Sequence, residues 1–363
     1  MPRFQRVERL DASNLRAYAR GCAILGSGGG GDVGTCLLQA LQAVQDFGSV
    51  PVVGLEDLPD DALVVPCGAI GAPTVSFEKF ESGEEGRVLE EVVEELTGAR
   101  VAALMAGEIG GGNGLVPVMW AARAGLPLVD ADGMGRAFPE MDQESFELAG
   151  VSPSPAVLTD ERGNVVILKP LTGKWLERLA RDVTVSFGGT SSGADHLMSA
   201  AEARRASVIG SVARALAIGR AVRDTTDPVG ALVSAAGAVP LLVGKVVDVE
   251  RTTAGGFARG HATVDGTGAD AGRVLGIDIQ NENLVATETA RGRVVASVPD
   301  LITIVDEQTA DAIPTERLRY GQRVRVLALP CDPVWRTPEG LRLAGPGAFG
   351  YGHEYVPVEP PHA

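Results

Sequence analysis

The sequence predicts an α/β protein. The N-terminal domain is expected to hold a mostly parallel sheet with helices on both faces, and the C-terminal domain to be α+β with a β-barrel-like portion. Three observations carry this. Short apolar runs alternate with amphipathic helical patterns through the first half of the chain. Beyond Pro240 the pattern changes to strands separated by Gly, Asp and Asn turns. The composition, 45% hydrophobic and 22% charged over 363 residues, is that of a packed chain long enough for two domains.

Taken in order, "SNLRAYARG" reads as a helix capped from Ser13, and "CAIL", residues 22–25, as a first short strand. "VPVVGL", "ALVVPCGAI", "VAALMAGEI" and "LPLVDAD" read as further strands, short and apolar as strands buried on both faces should be. "EEGRVLEEVVEELTG" sets Val88, Leu89, Val92, Val93 and Leu96 on one helical face before Gly98. "AVLTDERGNVVILKP" predicts a hairpin turning at Glu161 to Asn164, and "LTGKWLERLARD" a helix. A long alanine-rich helical stretch is expected at about 194–224 and β structure at about 240–330. The domain boundary falls at 157/158, giving units 1–157 and 158–363.

The 47 acidic residues outnumber the 32 basic ones, so the net charge of −15 repels nucleic acid and anionic membrane surfaces; neither is an expected partner. The four cysteines, Cys22, Cys36, Cys67 and Cys331, form no CxxC pair, which favours reduced thiols over a disulfide framework. No apolar run approaches the roughly 20 residues that cross a bilayer, and the N-terminus lacks a signal-peptide pattern, so a cytoplasmic location is expected. The alanine-rich stretch suits a homo-oligomer interface.

In an open parallel sheet, ligands bind beyond the carboxyl ends of the strands. The segments following the expected strands are "LGSGGGGD", Glu56 with Asp57, "CGAIGAPTVSFEK", "GEIGGGNG" and "DADGMGRAFPE", so these are expected to share one rim. In the first, Gly26, Gly28 and Gly31 satisfy G-x-G-x-x-G, which leaves two readings: a dinucleotide loop, or a backbone cradle for a small ligand built from Gly28, Gly29, Gly30, Gly31 and Asp32. In "GEIGGGNG", Glu108 and Asn113 flank Gly111 and Gly112 and offer a carboxylate, an amide and backbone N–H groups to a polar heterocycle; the alternative is Asn113 as a helix cap and Glu108 in an ion pair. Asp130 and Asp132 alternate along an extended segment and share a side, which suits a hard-metal site or an acid–base pair. Arg136 either neutralises them or clamps a substrate carboxylate, with Glu140 beside it. Only four histidines occur, none in H-x-x-x-H spacing. His196, expected at a helix start beside Asp195, is a candidate ligand or base, and Cys67 a candidate soft ligand. Ser191 and Ser192 lie outside any nucleophile elbow and read as a turn or anion-accepting loop at a helix start.

Together, "LGSGGGGD", "GAPTVSFEK", "GEIGGGNG", "DADGMGRAFPE" and the terminal "WRTPEGLRLAGPGAFGYGHEYVP" resemble the family named after S-methyl thiohydantoin desulfurase, which includes hydantoin-utilisation proteins. The resemblance runs from about Leu10 to Pro357. It implies loss of sulfur from a five-membered thiohydantoin ring to give a hydantoin, with zinc as the metal and no organic cofactor. The residues it marks are Asp130, Asp132, Gly133, Arg136 and Glu140 in one motif and Glu108 and Asn113 in the other. Gly347 stands where the family pattern GPRAFGY has arginine, which puts the substrate in question.

The resulting expectation is a metal-assisted hydrolase acting on a small heterocycle. Asp130, Asp132, Glu140 and Glu108 are the catalytic candidates, the glycine loops with Asp32, Asn113 and Arg136 bind substrate, and Asp132, His196 and Cys67 are the metal-ligand candidates. An NAD-dependent oxidoreductase and a non-catalytic partner subunit of a hydantoin- or oxoproline-processing complex are the alternatives.

Overall fold

The structure, a computed structural model, describes residues 4–71, 75, 79–223, 225–254 and 257–359. Most of the "GAPTVSFEK" motif therefore lies outside the described residues. The chain begins with β1 (Arg9–Leu10), α1 (Leu15–Leu25), α2 (Val33–Phe47), β2 (Val50–Val53) and β3 (Leu63–Gly71). It continues with α3 (Glu85–Thr97), β4 (Val101–Ala106), α4 (Val116–Ala124), β5 (Leu128–Asp132) and α5 (Ser145–Leu148). The hairpin β6 (Ala156–Thr159) and β7 (Val165–Leu168) follows, then α6 (Gly173–Ser186), β8 (Thr190–Ala194), β9 (Met198–Ser199), α7 (Ala200–Ala206), β10 (Val208–Ile209), α8 (Ser211–Arg223) and α9 (Pro228–Ala236). The rest is β11 (Val239–Ala254), β12 (Phe257–Gly266), β13 (Val274–Gln280), β14 (Glu282–Glu288), β15 (Arg293–Ser297), β16 (Leu301–Asp306), β17 (Arg323–Leu329) and α10 (Pro338–Ala344).

The large sheet runs β1-β2-β5-β4-β3-β8-β6-β7. Its centre, β2, β5, β4 and β3, is parallel, while β1, β8, β6 and β7 are added antiparallel. The second sheet is an antiparallel meander in the order β15-β14-β13-β12-β11-β17-β16, curled as a half-barrel around Val246, Ile277, Ile302 and Val326.

Two expectations about helices need correction. "CAIL" is not a strand but the last turn of α1, where Cys22, Ile24 and Leu25 are fully buried. A four-residue apolar run reads the same in a buried helix as in a strand, and α1 is buried on most of its circumference because α8 crosses it closely. A Cβ on Gly21 would sit 1.8 Å from the Ala215 carbonyl oxygen, so only glycine permits that crossing. The alanine-rich stretch is likewise not one helix. It divides into β9, α7, β10 and α8, broken at Ser207 and at Gly210, whose φ is +82°. Both short strands add to the large sheet, β9 on β3 and β10 on β5. Ser191 and Ser192 lie in β8 rather than at a helix start, and Ser191 Oγ shares a hydrogen bond with Thr184.

The four thiols are free, and no helix among the described residues is long and apolar enough to cross a membrane.

Candidate functional site

The carboxyl ends of β3 and β4 open into a half-open hollow of about 140 Å³, bounded on one side by Asn281 and Glu282 of the half-barrel. Cys67, Glu108, Asn113, Glu140, Glu144, Asp195 and Glu282 line it, together with Gly30 and Gly31. It therefore draws on strand ends, the glycine loop and a barrel strand at once.

The glycine loop is not slack. Ser27 Oγ accepts from Ile302 N and donates to Ile302 O, Thr315 N donates to Gly28 O, and Asn283 N donates to Ser27 O. These bonds sew the loop to the barrel along its outer side. On the inner side, Gly112 N and Asn113 N donate to Gly31 O and Gly30 O, joining it to the "GEIGGGNG" turn. Backbone meets backbone so closely that a Cβ on Gly30 (φ +79°) would lie 2.3 Å from Gly110 O. Gly30 and Gly31 face the hollow, whereas Gly28 and Gly29 face a groove on the opposite side. Gly111 and Gly112 serve the loop-to-loop packing. Asp32 caps α2 through Thr35 N and pairs with Arg317 at 2.8 Å, bridging to the barrel rather than facing Asp130 and Asp132. The dinucleotide reading requires a strand before G-x-G-x-x-G, and here a helix precedes it.

Glu108 is fixed at both oxygens. Asn113 Nδ2 donates to Oε1 at 2.6 Å and Phe138 N to Oε2 at 3.3 Å. Asn113 also pairs with both backbone groups of Ala69, so it is locked, and it is not a helix cap. Burial, only partly offset by the Asn113 hydrogen bond, pushes Glu108 up to about 8. Glu282, at the start of β14, enters from the barrel side. Burial and the nearby Glu108 hold its pKa well above the usual range, with Arg136 opposing, and its Oε2 has no hydrogen-bond partner.

Opposite them stands a cluster built on an irregularity in the sheet. β8 pairs with β3 up to Ala194↔Cys67, and β9 resumes at Met198↔Val64. Three residues, Asp195 to Leu197, therefore oppose two, Val65 and Pro66, and Pro66 has no N–H to offer the ladder. The bulge expels Asp195 and His196, and His196 takes φ +43°, strained for a non-glycine residue and worth about 1–3 kcal/mol. Its Nδ1 lies 2.6 Å from Asp195 Oδ1 and 3.1 Å from Glu144 Oε2, and its Nε2 lies 3.0 Å from Glu147 Oε1. Burial disfavours the imidazolium, yet hydrogen bonds accepted by Asp195, Glu144 and Glu147 overcome it and hold the pKa well above the ordinary value.

Glu144, Asp195 and His196 each offer a ligand atom within 4.8 Å of the others, and all three are buried. Glu144 Oε2 has no partner beyond the His196 ring, 3.1 Å away. One imidazole and two carboxylates, the carboxylates belonging to residues that line the hollow, form a donor set that fits zinc.

The other expected site residues fall in different places. Cys67 lines the hollow, but its thiol points at Met105 O, 3.6 Å away, and burial raises its pKa; it stands outside the His196 cluster. Asp132 is fully buried and absent from the lining; its Oδ2 accepts from Ile109, Met134 and Gly135 N–H groups, tying two strand-end loops together. Burial, opposed by those bonds, raises its pKa to about 7. Asp130 opens to a separate hollow with Glu56, Arg6 and Arg214, and accepts from Ala213 N at 3.0 Å. Asp57 pairs with Arg6, so neither Glu56 nor Asp57 joins the expected rim. Arg136 neither neutralises the aspartates nor reaches the hollow. Fully buried, it donates to Ala137 O, Pro299 O and Asp300 O and lies over the Phe138 ring, locking the barrel to the strand ends. Glu140 reaches the hollow while paired with Lys174 at 2.6 Å. Gly347 sits in an open turn away from the hollow.

Glu144, Glu147 and Glu282 were not singled out by the sequence. The one available signal was Pro66 inside an apolar run, which marks a break in strand pairing where β8 and β9 would otherwise be continuous.

The chain belongs to the S-Me-THD-like family: its N-terminal domain matches residues 13–170 and its C-terminal domain residues 172–358. A crystal structure of a protein from Chromobacterium violaceum is similar, with 25% identity over 97% of this chain and 100% of that one and a TM-score of 0.78. A comparison with curated proteins finds no match.

Proposed function

We propose that this protein hydrolyses the exocyclic carbon–sulfur bond of a five-membered thiohydantoin ring bound in the hollow, releasing a thiol or sulfide and leaving a hydantoin. The desulfurase-like family supports the reaction class. The observation that carries the reading is the meeting, around one hollow, of a carboxyl group whose pKa burial raises to about 8, Glu108, and a buried cluster of zinc-ligating character.

The ring carbon bearing sulfur is amidine-like in an S-alkyl thiohydantoin. Water adds to it, the carbon–nitrogen π pair moves to the ring nitrogen, that nitrogen takes a proton from Glu108, and the proton the water sheds as its oxygen bonds to carbon restores Glu108. The carbon–sulfur bond then breaks, the hydroxyl becomes the carbonyl, and its proton leaves with sulfur as thiol. Glu108, held by Asn113 and kept protonated near neutral pH by burial, is suited to deliver the first proton. Glu282, whose pKa burial also holds well above the usual range, is suited to hydrogen-bond the ring from the barrel side. The Gly30–Gly31 backbone forms a wall against which a flat ring can lie. Glu144, Asp195 and His196 would hold zinc, which supplies Lewis-acid chemistry and makes water acidic near neutral pH.

The test is a series of S-methyl thiohydantoins differing at the ring substituent, with released thiol as readout and zinc content measured on the same sample. Thiol release by wild type, lost in Glu108→Gln at unchanged zinc content, is the expected result. Zinc-loaded protein that releases no thiol from any member overturns the reading.

A further inference from the structure

The glycine loop has a second face. Behind it, between α1, the first turn of α2 and the barrel segment 311–322, lies a groove of about 760 Å³, within the size range of pockets that take small ligands. Its lining is unlike the rest of this acidic chain. Arg16, Arg20, Arg251, Arg317 and Arg319 stand there against three carboxylates, Asp32, Asp311 and Glu316.

The carboxylates cancel only part of this charge. Asp32 is taken up by Arg317 and Asp311 by Arg20, at 2.8 and 2.9 Å. Burial raises the pKa of Glu316, which weakens its negative charge. Arg251 donates to two backbone carbonyls, Glu316 O and Leu318 O, and so keeps its full charge. Arg16 and Arg319 are exposed, and among the described residues their guanidinium groups have no hydrogen-bond or ion-pair partner. Val33 and Gly34, the first residues of the fifteen-residue α2, complete the wall and turn the positive end of its dipole toward the groove.

From this charge pattern and cavity we infer that the groove is a binding site for a small, multiply charged anion bearing phosphate or carboxylate groups. Arginine forks suit both chemistries. The site is distinct from the catalytic hollow: Gly31 and Asp32 line the groove, Gly31 also lines the hollow, and the arginines line the groove alone.

Calorimetric titration of the full chain with pyrophosphate and, separately, with citrate at fixed ionic strength tests the inference and distinguishes the two chemistries. Wild type is expected to bind at least one of them with a Kd below about 1 mM. The double variant Arg16→Gln/Arg319→Gln, changed only at exposed positions, is expected to bind at least about tenfold more weakly. Absence of binding by both anions, or equal affinity in the double variant, overturns it.

Discussion

The two sides of the hollow handle buried charge differently. On one side, Glu108 and Glu282 lie near each other and Arg136, and burial holds both carboxyls above the usual range. On the other, Asp195, Glu144 and Glu147 surround His196, and the imidazolium they stabilise is itself buried. The difference lies in the imidazole ring that sits among the acids of the second side. Contact with the ring does not spare every acid there: burial and the nearby Asp195 hold the Glu144 carboxyl well above the usual range, with the His196 hydrogen bond opposing. One wall is thus equipped to give a proton and the other to hold a positive ion, a division of labour that single substitutions can separate.

The largest effect is expected from His196→Asn. It should abolish stoichiometric zinc binding and lower kcat/KM on the order of 10³-fold, measured by metal analysis alongside thiol release. A variant that keeps both zinc and turnover would break the contrast between the walls. Glu108→Gln should lower kcat on the order of 10²-fold while zinc content stays at the wild-type level, because it touches only the proton-giving wall. Gly30→Ala should destabilise the protein by about 1–3 kcal/mol in denaturant unfolding, since φ is +79° and the added Cβ meets the Gly110 carbonyl. The smallest effect is on the pH dependence of stability. In the fold Glu108 keeps its proton to about pH 8, while the unfolded chain releases it near 4.5. The stability owed to this group is therefore fully present below about pH 4.5 and is lost as pH rises through about 8. The Tm of metal-free wild type should fall more steeply across that interval than the Tm of Glu108→Gln.

The sequence was most readable where periodicity is local. The barrel strands and the hairpin at 161–164 follow from alternation and turn residues over a few positions. "CAIL" and the alanine-rich stretch misled because their outcome depends on distant partners: α8 across α1 in one case, β3 and β5 pulling out β9 and β10 in the other. The site divides the same way. Glu108, Asn113 and Gly30 stood out because each belongs to a dense strand-end motif. Glu144 in "MDQESFEL" and Glu282 in "QNENL" look like surface acids, and only folding brings positions 144, 195 and 282 around one space. The "DADGMGR" cluster drew notice for its charge density, yet its side chains fold back on N–H and carbonyl groups: Asp132 gathers three N–H groups and Arg136 three carbonyls. Dense charge at a strand end can be mortar between loops as well as chemistry.

The central claim is that the bulge at Asp195–His196 builds the metal-holding wall of a hydrolytic hollow. The most direct measurement is anomalous scattering at the zinc edge from crystals of zinc-loaded protein. The account predicts a single strong peak within bonding distance of Glu144, Asp195 and His196; a peak at Asp130 or Asp132 instead, or no peak at His196 in zinc-loaded protein, would contradict it.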